Sequence, residues 1–189
     1  MSHYPIMINL QGKKAVVIGG GKVAYRKILS LLEAKAEVTV VSPAVIVEVK
    51  TLIDKNGVSW YKKQVEATDY QDAFIVIAAT NRKETNQEVA EQAGSHQLVN
   101  IVDQPNLGNF HVPAKLTRGK LTIAVSTGGA SPILAKKIRD DLSKTYDETY
   151  EDYLEDLFKY REKIKQMPLS EQEKRTRLVE YEEADRKRR

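Results

Sequence analysis

The apolar run Ala15-Val16-Val17-Ile18 leads straight into Gly19-Gly20-Gly21, and a helical pattern with Val23, Ile28, Leu31 and Leu32 apolar follows through Ala34. Strand, glycine turn and helix in that order give the spacing Gly19-x-Gly21-x-x-Ala24 its meaning, because the same spacing elsewhere constrains little. Gly19 permits a tight turn, Gly21 lets a pyrophosphate approach the backbone, and Ala24 lets the helix lie close on its sheet. The helix N-terminus then turns oriented N–H groups toward an anion. Gly19, Gly20, Gly21, Lys22, Val23 and Ala24 are therefore the expected dinucleotide-binding turn. The alternative is a βα turn that only needs glycine.

The pattern continues as further βα units. Val38–Val41 reads as a strand stopped by Ser42-Pro43, residues 45–53 as a helix, Val58–Tyr61 as a strand and Ala73–Ala79 as a strand buried on both faces. Residues 84–93 read as a helix and Leu98–Val102 as one more strand. Alternation with unbroken apolar strands predicts an α/β fold with a parallel sheet covered by helices on both faces. After Asp103 the alternation stops. Val112–Thr117 and Lys120–Val125 flank Arg118-Gly119 as a hairpin, and Ser131 with Pro132 marks a helix start. Tyr150, Tyr153, Leu157 and Phe158 fall at helical spacing, which suits core or interface. A last charged helix follows Pro168-Leu169-Ser170. The expected organisation is residues 1–112 as a cofactor domain, 113–145 as a hairpin and helix segment, and 146–189 as a helical C-terminal domain.

Open α/β sheets bind ligands at the carboxyl ends of their strands, and the residues there are informative. About 20 residues after the fingerprint, an acidic residue usually holds the adenosine ribose. Here the position is Ser42, which suits a ribose hydroxyl and leaves NADP open beside NAD. Thr80 ends the fourth strand and either contacts the cofactor or, with Asn81, caps the next helix. Asp103 ends the fifth, as an acid–base carboxylate or a turn former. His111, alone in its neighbourhood, reads as structural. Ser126-Thr127-Gly128-Gly129-Ala130-Ser131-Pro132 is a second strand, glycine turn and helix start, suited to gripping carboxylates. Its alternative is a capped helix with solvated Lys136, Lys137 and Arg139.

Composition narrows the chemistry. The 189 residues include no Cys and only His3, His96 and His111, so no metal site of recognisable spacing is expected and no disulfide is available. The cytoplasm is the expected compartment. No window suits a membrane span, and Met1–Leu10 does not resemble a signal peptide. The formal net charge of +4 is uneven: residues 145–189 hold 11 basic and 13 acidic side chains, which leaves the front of the chain at +6. A basic front suits an anionic partner. The terminal Arg186–Arg189 follows acidic residues and reads as a solvated end, so nucleic acid is not an expected partner.

Taken together, Gly19–Ala24 after a strand, Ala78-Ala79-Thr80-Asn81, Val99–Asp103, Phe110–Ala114 and Ser126–Pro132 resemble the precorrin-2 dehydrogenase family, which includes stand-alone enzymes and the N-terminal part of siroheme synthase. The resemblance covers roughly residues 4–145. It implies a Rossmann-like sheet, NAD-dependent oxidation of precorrin-2 to sirohydrochlorin in siroheme synthesis, in some members coupled to Fe²⁺ insertion, and a homodimer in which the segment after the cofactor domain exchanges contacts. It also implies a central role for Asp103 and a tetrapyrrole site lined by Ser126, and the carboxylate-gripping turn adds Thr127, Gly128 and Gly129 as expected substrate-binding residues. Asn81 stands where the family often has an acidic residue. Two other functions fit the residues: a dehydrogenase of another small substrate, and a regulatory module that binds NAD.

Overall fold

A strand can bury every side chain only when both its faces are covered. The computed structural model describes residues 3–186, and in it β1 (Lys14–Ile18) and β4 (Ile75–Ala78) meet that condition, with Val17, Ile18, Val76 and Ala78 excluded from solvent. Around them lie α1 (Lys22–Glu33), β2 (Glu37–Val41), α2 (Val47–Asn56), β3 (Ser59–Tyr61), α3 (Lys83–Gln92) and β5 (Leu98–Ile101). The five strands are parallel in the order β3-β2-β1-β4-β5. Ala24, Ile28 and Leu31, spaced for one helical face, bring α1 onto one side of the sheet beside Val49 of α2. Val89 of α3 and Tyr70 cover the other. The strand order reverses between β1 and β4, whose ends Ile18 and Ala78 are paired. That is a topological switch point, where open α/β sheets form a crevice.

Residues 4–112 make one compact unit, and the described residues from Pro113 onward make another. The second unit starts with an antiparallel hairpin, β6 (Ala114–Arg118) and β7 (Leu121–Val125). α4 (Pro132–Thr145) packs across both of its strands, and α5 (Thr149–Lys165) packs on β7 and on α6 (Glu171–Arg186). Lys120 at the hairpin tip lies over the Phe158 ring at 4.2 Å and 3.4 Å from Glu155. Tyr146, Tyr150 and Tyr153 form an edge-to-face series, and Tyr160 stacks on Tyr181. Tyr150, Tyr153 and Leu157 are half-buried, whereas Phe158 is exposed. Leu116, Ala135 and Ile164 are the buried apolar residues described in this unit.

Several boundaries differ from the sequence reading, including the starts of β3 at Ser59 and β6 at Ala114. The helix expected from residue 45 begins at Val47, because the Ile46 N–H donates to Gly20 O at 2.9 Å and holds Pro43–Ile46 against the glycine turn. The fourth strand is Ile75–Ala78 rather than Ala73–Ala79. The hairpin turn is Gly119-Lys120, closed by the pair Arg118 and Leu121, not Arg118-Gly119. Gly119 has φ +52°, and a two-residue turn of this kind places its left-handed residue first. The terminal run beyond Arg186 lies outside the described residues.

Candidate active site

The first glycine turn combines three unlike requirements. Gly19 has φ +118°, and a Cβ there would lie 2.5 Å from Ala79 O across the switch point. At Gly20 a Cβ would collide with Ala44 O. Gly21 needs neither allowance: its φ of −93° is ordinary and nothing lies within 4 Å of where its Cβ would stand. It is the N-cap of α1, with no side-chain cap and no acidic residue in the first turn. The first helical bond is Tyr25 N–H to Gly21 O, so the helix itself does not use the Lys22, Val23 and Ala24 N–H groups. Open space above uncapped, dipole-aligned N–H groups fits a pyrophosphate.

These residues wall a cleft of 870 Å³ that also includes Ser42–Ile46, Ala79–Arg82, Thr85 and Glu88. Its volume falls within the ~300–1,000 Å³ usual for small-molecule and cofactor sites. Another cavity, of 630 Å³, is lined by Lys14, Glu37 and Ser59 at the strands' amino ends, the wrong edge for ligands in this topology. Ser42 is buried, donates its hydroxyl to Ala44 O at 2.7 Å and accepts the Trp60 indole N–H on its carbonyl at 2.9 Å. Toward a ligand it is therefore an acceptor. Among the lining residues the cations are Lys22 and Arg82, and neither belongs to the segment after β2.

Thr80 and Asp103 are joined by a residue that motif reading missed. Asn86, fully buried in α3, donates from Nδ2 to Thr80 O at 3.2 Å and to Asp103 Oδ1 at 2.7 Å. Its Oδ1 accepts from Thr80 N–H at 3.3 Å and Thr80 Oγ1 at 2.7 Å. Thr80 Oγ1 also accepts the Arg82 N–H at 3.1 Å, next to the start of α3. The sequence signals only its burial: Asn86 is in helical phase with the apolar Val89, Ala90 and Ala93.

Asp103 is exposed, but its loop is fastened on the far side too. Asn109 receives the Val99 N–H on Oδ1 at 2.8 Å, donates from Nδ2 to Gln97 O at 2.8 Å and donates its own N–H to Val99 O at 3.0 Å. Asn100 Nδ2 donates to Phe110 O at 3.1 Å. A Cβ at Gly108 would lie 2.6 Å from Val99 O, so this loop can press on β5 only with glycine there. His111 is exposed.

In the second unit, Thr127 Oγ1 donates to Ser131 O and accepts the Ser131 N–H, both at 3.0 Å, which closes the turn on itself. Gly128 and Gly129 have φ of +61° and +89°, and at either one the space a Cβ would enter is open to 4 Å. Ser126 Oγ accepts the Gly128 N–H at 3.2 Å, and Ser131 Oγ accepts the Leu134 N–H at 3.1 Å as the cap of α4. Both readings of this sequence block thus have a physical footing: the cap is present, and so is an open, glycine-lined turn. Among the described residues no three His, Asp or Glu side chains group as a metal site, and no helix is long and apolar enough to cross a membrane.

A fold with a cleft of this kind joined to a hairpin and helix unit has known counterparts. Residues 6–114 match the NAD(P)-binding family model, and residues 118–145 match that of the sirohaem biosynthesis protein central family. The precorrin-2 dehydrogenase of Priestia megaterium is 37% identical over 177 residues, which are 94% of this chain and 88% of that protein. That of Bacillus subtilis is 37% identical over 159 residues, 84% of this chain and 98% of the relative. The siroheme synthase of Nitrosomonas europaea is 36% identical over 177 residues, but these make up only 37% of that longer protein. The solved structure of SirC, a precorrin-2 dehydrogenase, superposes with a TM-score of 0.83 at 36% identity, covering 94% of this chain and 88% of that one. With its NAD(P)-binding domain, its central segment and nearly the full length of the precorrin-2 dehydrogenases accounted for, the chain belongs to the precorrin-2 dehydrogenase family.

Proposed function

We propose that this chain oxidises precorrin-2 to sirohydrochlorin in siroheme biosynthesis, with NAD⁺ as the hydride acceptor and Asp103 as the residue that takes or positions the accompanying proton. The observation that carries this reading is the Thr80–Asn86–Asp103 chain, which ties a carboxylate beyond β5 to the wall of the cofactor cleft. Gly19–Ala24 hold the pyrophosphate, Ser42 accepts from the adenosine ribose and Thr80 shapes the opposite wall. When bound, the nicotinamide supplies a two-electron acceptor for hydride. The lining residues that follow β2, Ser42–Ile46, include no Lys or Arg, so this segment offers no cation for a 2′-phosphate. This favours NAD⁺ over NADP⁺.

The substrate is a polycarboxylate, and the net positive charge of residues 1–144 raises its local concentration. Ser126, Thr127, Gly128 and Gly129 receive its carboxylates in the open turn before α4. Loss of one hydride and one proton completes the dehydrogenation, with Asp103 or solvent as the proton's destination. The working unit is a homodimer in the cytoplasm. Support for the dimer comes from the few buried apolar residues of the second unit and from α4, where Ile133, Leu134 and Ile138 are 82%, 48% and 38% exposed.

The test is anaerobic turnover of precorrin-2 by the wild type and by Asp103→Ala. The variant is expected to lose at least tenfold in kcat and to bind NADH as the wild type does. Adding Fe²⁺ to the sirohydrochlorin formed and following the tetrapyrrole spectrum reads iron insertion separately. Wild-type kcat in Asp103→Ala would remove Asp103 from its role.

A further inference from the structure

We infer that Asn86 is a positioning residue: it occupies Oδ1 of Asp103 so that the other carboxylate oxygen, Oδ2, is the one presented to the substrate. The inference rests on the role proposed for Asp103 above. An amide has two donor hydrogens and two acceptor lone pairs, and Asn86 spends all four, on Thr80 O, Asp103 Oδ1, Thr80 N–H and Thr80 Oγ1. This fixes which way the amide faces. Turned over, its oxygen would meet a carbonyl and a carboxylate, and its NH₂ would meet an N–H.

The comparison with Gln97 shows why the arrangement exceeds what packing needs. Gln97 is also buried, and its amide is satisfied by backbone: it donates to Tyr70 O and Ala73 O and accepts the Gly94 N–H. Asn86 instead gives one of its two donors to an exposed side chain. Burying a polar group is costly, and an apolar residue would continue the stripe of Val89, Ala90 and Ala93 without that cost. What Asn86 gains is the orientation of a carboxylate that water alone would leave free to rotate. Because Thr80 lies in the cleft wall and Asp103 follows the adjacent strand, one amide sets the spacing between the cofactor side and the proton-accepting side.

Asn86→Ala and Asn86→Ser separate this role from a structural one. The serine brings no charge beside Asp103 and keeps a hydroxyl in the buried site, so it serves where the alanine variant does not fold. Each is made in the wild type and in Asp103→Ala, and steady-state kinetics with precorrin-2 and NAD⁺ are compared with NADH affinity read by energy transfer from Trp60, the single tryptophan. In the wild type, kcat falls roughly 10–100-fold, the scale at which loss of an orienting partner is felt, while KM for NAD⁺ and NADH affinity, which report the freed Thr80 in the cleft wall, change by a smaller factor. In Asp103→Ala the same changes at Asn86 leave the residual turnover where it was, since residues acting as one unit are not additive. Equal fractional losses in both backgrounds, or wild-type kcat in the Asn86 variants while Asp103→Ala is impaired, would overturn this inference alone. Wild-type kcat in Asp103→Ala would overturn both it and the role given to Asp103.

Discussion

Three adjacent glycines carry three different constraints, and substitution separates them. At Gly20 the obstacle to a side chain is backbone, Ala44 O and the Cα of Val45, so Gly20→Ala must displace the segment after β2. A loss of about 1–3 kcal/mol is expected, seen as a lowered midpoint in denaturant unfolding. Gly21 has room for a methyl group. Gly21→Ala is expected to change stability by under ~1 kcal/mol and to weaken NADH binding about tenfold or more, the equivalent of ~1.4 kcal/mol. Equal damage to stability by both would contradict the division of roles. At this scale the glycines and Asp103 stand out as candidates in the sequence, since their spacing and strand-end positions are linear features. Asn86 was not legible as a site residue. Its partners are 6 and 17 residues away, and only the parallel pairing of β4 with β5 brings them together.

Two helices carry residues whose substitution tests the elements they belong to. Ser131 caps α4 through the Leu134 N–H, and Ser131→Ala is expected to cost about 1 kcal/mol in thermal or denaturant unfolding. Lys27 on α1 is half-buried beside Arg26, and burial first, then that neighbouring charge, hold its pKa below the usual lysine value. A folded pKa lower than the unfolded one means that the unfolded chain binds more protons between the two, so stability rises with pH in that window. Lys27→Met is therefore expected to raise stability at neutral pH and to flatten the rise as pH climbs toward the ordinary lysine range. A wild-type profile with no such rise would contradict this. Element order and strand identity were readable from hydrophobic period, but the hairpin turn was read one residue early. A glycine beside a basic residue marks a turn without saying which of its two positions the glycine takes, and the pairing of Arg118 with Leu121 decides it.

Under the proposed function the protein holds an acidic macrocycle and a nicotinamide, and its assembly state is a separate test. Ile133→Asp with Ile138→Glu places charge on the exposed apolar residues of α4. It is expected to shift sedimentation from dimer to monomer and to lower turnover with it, while NADH binding by the first unit survives. A monomeric wild type would remove the dimer from the account. The claim at the centre, that the cleft at the switch point serves oxidation of a tetrapyrrole, is tested most directly by anaerobic mixing of the purified protein with precorrin-2 and NAD⁺, quantifying both products. One NADH for each sirohydrochlorin formed is the predicted result. A protein that binds NAD⁺ and precorrin-2 yet produces neither product would contradict it.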